Sequence, residues 1–346
     1  MRLSYKTYFK ILKSIIKSIF SPTPIIYTWE ITYRCNMRCS FCNIWRLAPE
    51  CYTDEMTTQE GIALLHQAAH LGASLLYLTG GEPLLRKDIG EILRCAKQMR
   101  MVTMIGTNGF FIEDEIEQLK ANLDCLRVSI DSLAQLDGIR SCHSSLERAV
   151  KGIKQAKKLG IEVIINATIT SETIGEMKDL AKFADDLHCD ITLSPLTKIP
   201  KGVKEDNELT RLLPDYEKYA AAVRELKKKY TCVVNSELYL DLVEKGGIGY
   251  SDFICKAPHI VLSVNPQGDI LLPCNAYPIK RINIKNEDGL KMAWYSKSAG
   301  QIKKGMKHFN FCTSCVNRCY ILPSLFFTVK GISHALGNYN QRKRIF

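Results

Sequence analysis

The chain has no uninterrupted apolar stretch of about 18 residues, so no segment is expected to span a bilayer as a helix. No cleavable secretory signal is expected, because lysine breaks the apolar start every few residues. There is no internal repeat and no low-complexity tract. Acidic residues are missing from residues 1–29 and again from 289–346. The 14 cysteines are too dilute over 346 residues for a disulfide scaffold. With 46% hydrophobic and 24% charged residues, the chain is not disordered and can bury a sizeable core.

The net charge of +11 sits at the two ends. Residues 1–29 carry five basic groups (Arg2, Lys6, Lys10, Lys13, Lys17), and residues 289–346 carry ten. The body between them is slightly acidic. That distribution points to a surface partner at the termini and argues against a nucleic-acid groove, as does the want of an aromatic-basic RNA motif.

From residue 25 to about 195, short β-rich runs alternate with helical patterns. The strands are expected at Ile25–Thr32, Ser74–Thr79, Val102–Gly106, Cys125–Ile130, Ile161–Thr168 and Asp190–Ser194. Helices are expected near 57–71, 88–99, 112–121, 144–159 and 173–187. Six such units make an α/β fold with a parallel sheet: a partial (β/α)6 TIM-like barrel or a doubly wound sheet, with ligands at the carboxyl ends of the strands. A charged helix near 212–230 follows. Beyond the glycine-rich turn at 246–249, His259–Val264 and Asp269–Leu272 read as a hairpin in a small C-terminal α+β domain. The expected parts are a basic amphipathic helix at 1–24, a core at 25–235, a cysteine-bearing domain at 245–320 and an apolar-basic tail at 321–346.

The strongest local signal is Cys35-Asn-Met-Arg-Cys39-Ser-Phe-Cys42. Three thiols just after a strand can turn toward one point. A structural zinc usually takes four protein ligands, and no fourth Cys or His lies close in sequence. A four-iron cluster held by three thiolates keeps one iron open. The C-x3-C-x2-C spacing, with Phe41 before the last Cys, resembles that of the radical S-adenosylmethionine (SAM) superfamily. Chance clustering and zinc remain the alternatives.

The later strand ends extend the resemblance over about residues 25–200. The second ends in Thr79-Gly80-Gly81-Glu82-Pro83, resembling the Gly-Gly-Glu motif that holds the SAM amino group. The third ends in Gly106-Thr107-Asn108-Gly109. On the fourth, Ser129 and Asp131 resemble groups that contact the ribose and carboxylate of SAM. Arg140 resembles a carboxylate-pairing arginine, or else it is a surface residue. Asn166 and Ser194 close the fifth and sixth strands at the same rim, as cofactor contacts or as turn residues. The resemblance implies a SAM-binding [4Fe-4S] cluster and reductive cleavage of SAM to methionine and a 5′-deoxyadenosyl radical. That radical abstracts hydrogen from a substrate. A low-potential ferredoxin- or flavodoxin-type donor is implied as well.

A second cysteine set follows: Cys255, Cys274, Cys312, Cys315 and Cys319. A separated pair plus a C-x2-C pair suits four-thiolate zinc or an iron–sulfur cluster. The layout resembles the auxiliary-cluster domains called SPASM and, in shortened form, twitch. Five cysteines complete only one auxiliary [4Fe-4S] cluster, with Cys255, Cys274, Cys312 and Cys315 as ligands and Cys319 as a substitute. The other six (Cys51, Cys95, Cys125, Cys142, Cys189, Cys232) read as small hydrophobes in a reducing, anoxic cytoplasm.

Residues 5–20 are amphipathic, with Lys6, Lys10, Lys13 and Lys17 on one side and Tyr5, Phe9, Leu12, Ile15, Ile16 and Phe20 on the other. A helix of that kind suits an anionic membrane interface, or packs on the barrel. The acid-free tail, with Leu322, Leu325, Phe326 and Phe327, repeats the pattern. The expectation is a peripheral enzyme on the inner face of the membrane, acting on a lipid or other hydrophobic substrate. Two alternatives stand beside it: a peptide or protein maturase, and a radical dehydrogenase of a small alcohol or sugar.

Overall fold

The computed structural model describes residues 14–16, 18, 23–46, 53–133, 145–197, 207–284, 288–325 and 327–328. Most of the basic N-terminal segment, Arg140, Cys51, Cys142 and the tail beyond 328 lie outside these residues.

Six parallel strands run in sequence order across the sheet: β1 (Ile26–Thr32), β2 (Leu75–Gly80), β3 (Val102–Thr107), β4 (Cys125–Ser129), β5 (Glu162–Ile169) and β6 (Asp190–Pro195). The expected α/β core is present, and the sheet does not close. On the far side of β1 lie β7 (Val261–Val264), β8 (Asp269–Pro273) and β9 (Pro278–Asn283). β7 pairs with β1 in parallel, Ile26 opposite Val261, and β8 and β9 continue antiparallel. The C-terminal strands thus extend the core sheet.

Side-chain alternation divides the sheet into two faces. Outward residues such as Tyr27, Trp29, Ile31, Leu76, Leu78, Leu126, Ile165 and Leu193 are fully enclosed beneath the helices. Each such side chain contributes about 1.5–3 kcal/mol on burial. The inward face is polar toward the strand ends, with Thr79, Arg127, Ser129, Asn166, Thr168, Thr192 and Ser194. Nearer the strand starts it becomes an apolar floor of Leu75, Val102, Met104, Cys125 and Ile164. Ligands are therefore confined to the carboxyl-end half.

Ile15, from the expected N-terminal helix, packs against that floor, while Ile16 is half exposed. Leu322, Leu325 and Phe327 pack against the main core. Apart from Ile16, these described apolar residues of the two ends face protein, which is the alternative to a membrane interface. Among the described residues no helix is long and apolar enough to cross a membrane.

Local chemistry sets the element ends. Thr58–Leu71 starts at a capping box: Glu60 N donates to Thr57 Oγ1, and Thr57 N donates to Glu60 Oε2. The charged helix begins at Tyr216, because the Asp215 carboxylate accepts from Lys218 N and caps it there. The helix Arg318–Leu325 lies across the open side of the sheet. At one end Tyr239 Oη donates to Val316 O beside β6's helices; at the other, Tyr320 Oη and Ser263 Oγ of β7 are 3.2 Å apart.

Candidate active site

β1 bulges between Glu30 and Thr32, just before the cysteine loop. A bulge re-aims the chain that leaves it. Gly81 N donates to Thr32 O and Glu82 N to Arg34 O, each at 2.8 Å, clamping the loop's stem to the end of β2. A Cβ on Gly80 would stand 2.2 Å from Thr32 O, and one on Gly81 2.2 Å from Arg34 O. The paired glycines thus admit the backbone that carries the cysteines, a neighbour the motif alone does not reveal.

Glu82 is fully buried and does not line the cavity. Its Oε1 accepts from Leu84 N (3.0 Å) and Thr107 Oγ1 (2.8 Å), and its Oε2 accepts from Asn108 N (2.8 Å). The carboxylate ties the end of β2 to that of β3. Asn108 carries the tie onward, its Nδ2 donating to Asn36 Oδ1 at 2.8 Å inside the cysteine loop. Trp45 Nε1 donates to Cys39 O, and Cys42 N to Cys39 O.

Cys35, Cys39 and Cys42 line one cavity of about 180 Å³, with Phe41, Gly80, Gly81, Asn108, Ser129 and Thr168. Tyr77 crosses its inner end. A Cβ on Gly106 would stand 2.5 Å from Tyr77 Oη, so glycine there makes room for the phenol. Asp131 is buried behind the rim and accepts from Thr168 N at 2.7 Å. Asn166 Oδ1 accepts from Arg127 Nη2 (3.0 Å) and Thr192 Oγ1 (2.9 Å), with Ser194 Oγ at 3.4 Å. Of the expected cofactor contacts, then, Phe41, Gly80, Gly81, Asn108 and Ser129 reach the cavity. Glu82, Asp131 and Asn166 brace it from behind, and Arg140 lies outside the described residues.

Cys255, Cys274, Cys312 and Cys315 form a second group. Burial pushes all four thiols up, Cys312 and Cys315 to about 12. They also act on one another: Cys274 feels Cys255 and Cys315, and Cys312 feels Cys315 and Cys255. Tyr277, Phe309 and Phe311 stack beside them, with centroids 4.5 and 5.1 Å apart. Cys319 is exposed, and its charge acts on Tyr77, Tyr239, Arg318 and Tyr320 instead. Among the described residues no three Cys, His, Asp or Glu side chains converge tightly enough to hold one metal ion. A four-iron cluster gives each thiolate its own iron and so takes more widely spaced thiols, which fits three thiols around an open cavity.

Residues 29–184 match the family profile of the Radical SAM superfamily. The chain carries a radical SAM domain over these residues. Radical SAM enzymes use a [4Fe-4S] cluster and SAM. The chain is 30% identical to the AdoMet-dependent heme synthase of Oleidesulfovibrio alaskensis over 48% of its own length and 44% of that protein. It is 26% identical to the PqqA peptide cyclase of Rhizobium meliloti over 84% of its own length and 79% of that protein. It therefore spans less than half the length of the heme synthase relative. The fold resembles that of SuiB from Streptococcus suis bound to S-adenosylmethionine, with a TM-score of 0.64 at 19% identity, covering 92% of this chain and 78% of SuiB.

Several residues at this radical SAM site carry no motif. Glu30 of β1 accepts from Tyr33 Oη (3.0 Å) and Asn275 Nδ2 (2.8 Å), joining the core to the residue after Cys274. Asn275 in turn bonds Tyr320. Arg127 and Arg318, both inside the barrel, were likewise not signalled. The one available hint was a charged residue at an inward position of a buried strand.

Proposed function

We propose that this chain is a radical SAM enzyme that modifies a peptide. In this reading Cys35, Cys39 and Cys42 hold the SAM-binding [4Fe-4S] cluster. Gly80, Gly81, Asn108 and Ser129 seat SAM, and Cys255, Cys274, Cys312 and Cys315 hold one auxiliary [4Fe-4S] cluster. A cluster held by these thiols would supply one-electron reduction of SAM, and SAM would supply the radical chemistry that removes hydrogen from the substrate. The protein's own share is orientation and exclusion of water. Glu82 and Asn108 fix the cysteine loop against two strand ends, and the apolar floor closes the cavity from below. A low-potential ferredoxin- or flavodoxin-type protein would supply the electron.

The carrying observation is the convergence of three thiols, paired glycines and Ser129 on one cavity. The peptide substrate is supported by likeness to a peptide cyclase over most of both chains. Likeness to a mycofactocin maturase over 84% of this chain adds to that. A lipid substrate has no comparable support, since Ile15 and Leu325 pack into protein. The test is anaerobic incubation of reconstituted protein with SAM, dithionite and either a mixed peptide library or a lipid extract. Substrate-dependent 5′-deoxyadenosine, with a peptide that has lost hydrogen, is expected. Stimulation by the lipid extract alone would overturn the assignment.

A further inference from the structure

Arg318 is 6% exposed, and its guanidinium makes no hydrogen bond or ion pair with any described residue. Its Nε is enclosed without a partner. A guanidinium has five N–H donors and keeps its charge, so enclosing one unpaired is strongly unfavourable. The strongest charge acting on it is a second cation, Arg127. The hydrogen bonds of Arg127 go to two neutral acceptors, Asn166 Oδ1 and Thr192 Oγ1. Tyr219, which also acts on Arg318, donates to Leu193 O, the residue after Thr192. Arg127 shares a face of β4 with Ser129, which lines the cavity. Arg127 thus lies on the inward face two residues below Ser129, and the enclosed Arg318 guanidinium, with donors to spare, feels its charge; none of the groups acting on Arg318 is a carboxylate.

We propose that Arg127 and Arg318 form a seat for a carboxylate of the substrate at the inner end of the barrel cavity. The seat rests on the reading above, in which substrate enters this cavity. Paired guanidinium groups grip a carboxylate through parallel, charge-assisted hydrogen bonds that fix its orientation. An acidic side chain or a chain-terminal carboxylate held there turns the adjoining C–H bonds toward the Cys35–Cys42 loop. Neutral analogues are rejected because they leave both cations unpaired. SAM has a carboxylate of its own, so the test must separate the two sources.

The probe is glutarate, compared with its neutral diamide and with orthophosphate at matched ionic strength. The readout is the thermal unfolding of the reconstituted, SAM-loaded protein. A ligand that binds only the folded state raises Tm in step with its concentration. Glutarate should raise Tm and the diamide should not. Arg127→Gln and Arg318→Gln should each weaken the glutarate effect at least tenfold. Without glutarate, Arg318→Gln should melt at or above the wild-type temperature, because an unpaired buried charge is gone; a structural ion-pair partner would behave oppositely. SAM affinity should be unchanged in both variants. The seat is refuted by a Tm shift with orthophosphate alone or by no carboxylate-specific shift. A large loss of stability in Arg318→Gln also refutes it. Tenfold weaker SAM binding in either variant would assign the pair to SAM instead. Because the shift is read without turnover, glutarate binding in a protein that modifies no peptide would sink the peptide assignment and leave the seat standing.

Discussion

The two cysteine groups of this molecule are built to opposite plans. The loop of Cys35, Cys39 and Cys42 opens on a cavity lined by glycine backbone and small polar groups. It is held from behind by Glu82 and Asn108. The group of Cys255, Cys274, Cys312 and Cys315 is packed under aromatic rings, and burial raises every thiol in it. Three ligands beside open space leave room for a small molecule to complete the site. Four thiols, one buried and three partly buried, packed beside aromatic rings would leave less room for one. Under the proposed assignment, the contrast would separate a site where substrate chemistry occurs from one that holds structure or relays electrons.

The largest expected effect would break the comparison at its centre. Replacing Cys35, Cys39 and Cys42 together by Ala should abolish 5′-deoxyadenosine formation and remove about half of roughly eight bound irons, assayed after anaerobic reconstitution. Cys274→Ala should instead deplete the other half, and Cys319→Ala should retain all of it. Loss of iron in Cys319→Ala would place that thiol in the second group, against its exposed position.

A smaller effect sharpens the account of how the open site is braced. In Glu82→Gln the new amide presents N–H groups where Thr107 and Asn108 also donate. One or two buried donors then go unsatisfied, costing about 2–3 kcal/mol. Urea unfolding of the metal-free protein measures this loss. A variant as stable as wild type would return Glu82 to the role of direct partner for the SAM ammonium.

The smallest effect concerns pH and separates the second group from the open one. In the metal-free protein the folded-state values of Cys312 and Cys315 lie near 12, above the unfolded thiol value of about 8.5. Their protonated forms are favoured by folding. That stabilisation is complete below about pH 8.5 and is lost as pH rises from there toward 12. The unfolding midpoint of metal-free protein should therefore fall between pH 8 and 10. Cluster-loaded protein, whose thiolates are already deprotonated, should lack this fall. Equal slopes with and without metal would show that these thiols are not the ligands.

Much of this was legible in the residues. All six core strands fall within two residues of their expected ends, because alternating apolar runs and intervening helices leave a parallel sheet few choices. The cysteine loop and the rim turns were legible because their side chains or glycines recur at strand ends. The hydrogen bonds of Glu82 across β3 were not legible, since a carboxylate after two glycines serves equally as a ligand or as a clamp. Arg318 was hidden for a different reason. It sits between two cysteines, far along the chain, and becomes an inner-wall residue only when its helix is laid across the gap between β6 and β7. The strand β9 and the helix Glu237–Glu244 were also missed, being short elements held by neighbours more than by their own pattern.

The pairing of β7 with β1 has a consequence for how the chain is made. β1 receives β2 about 50 residues after it begins, yet its other neighbour, Val261–Val264, comes about 235 residues later. During synthesis the first strand must wait with one edge bare while the rest of the core assembles on the other. Unpaired parallel edges invite strangers. A chain stopped anywhere between the sixth strand and residue 261 should thus be the most aggregation-prone length of all, and the small C-terminal segment acts as the seam that ends that exposure.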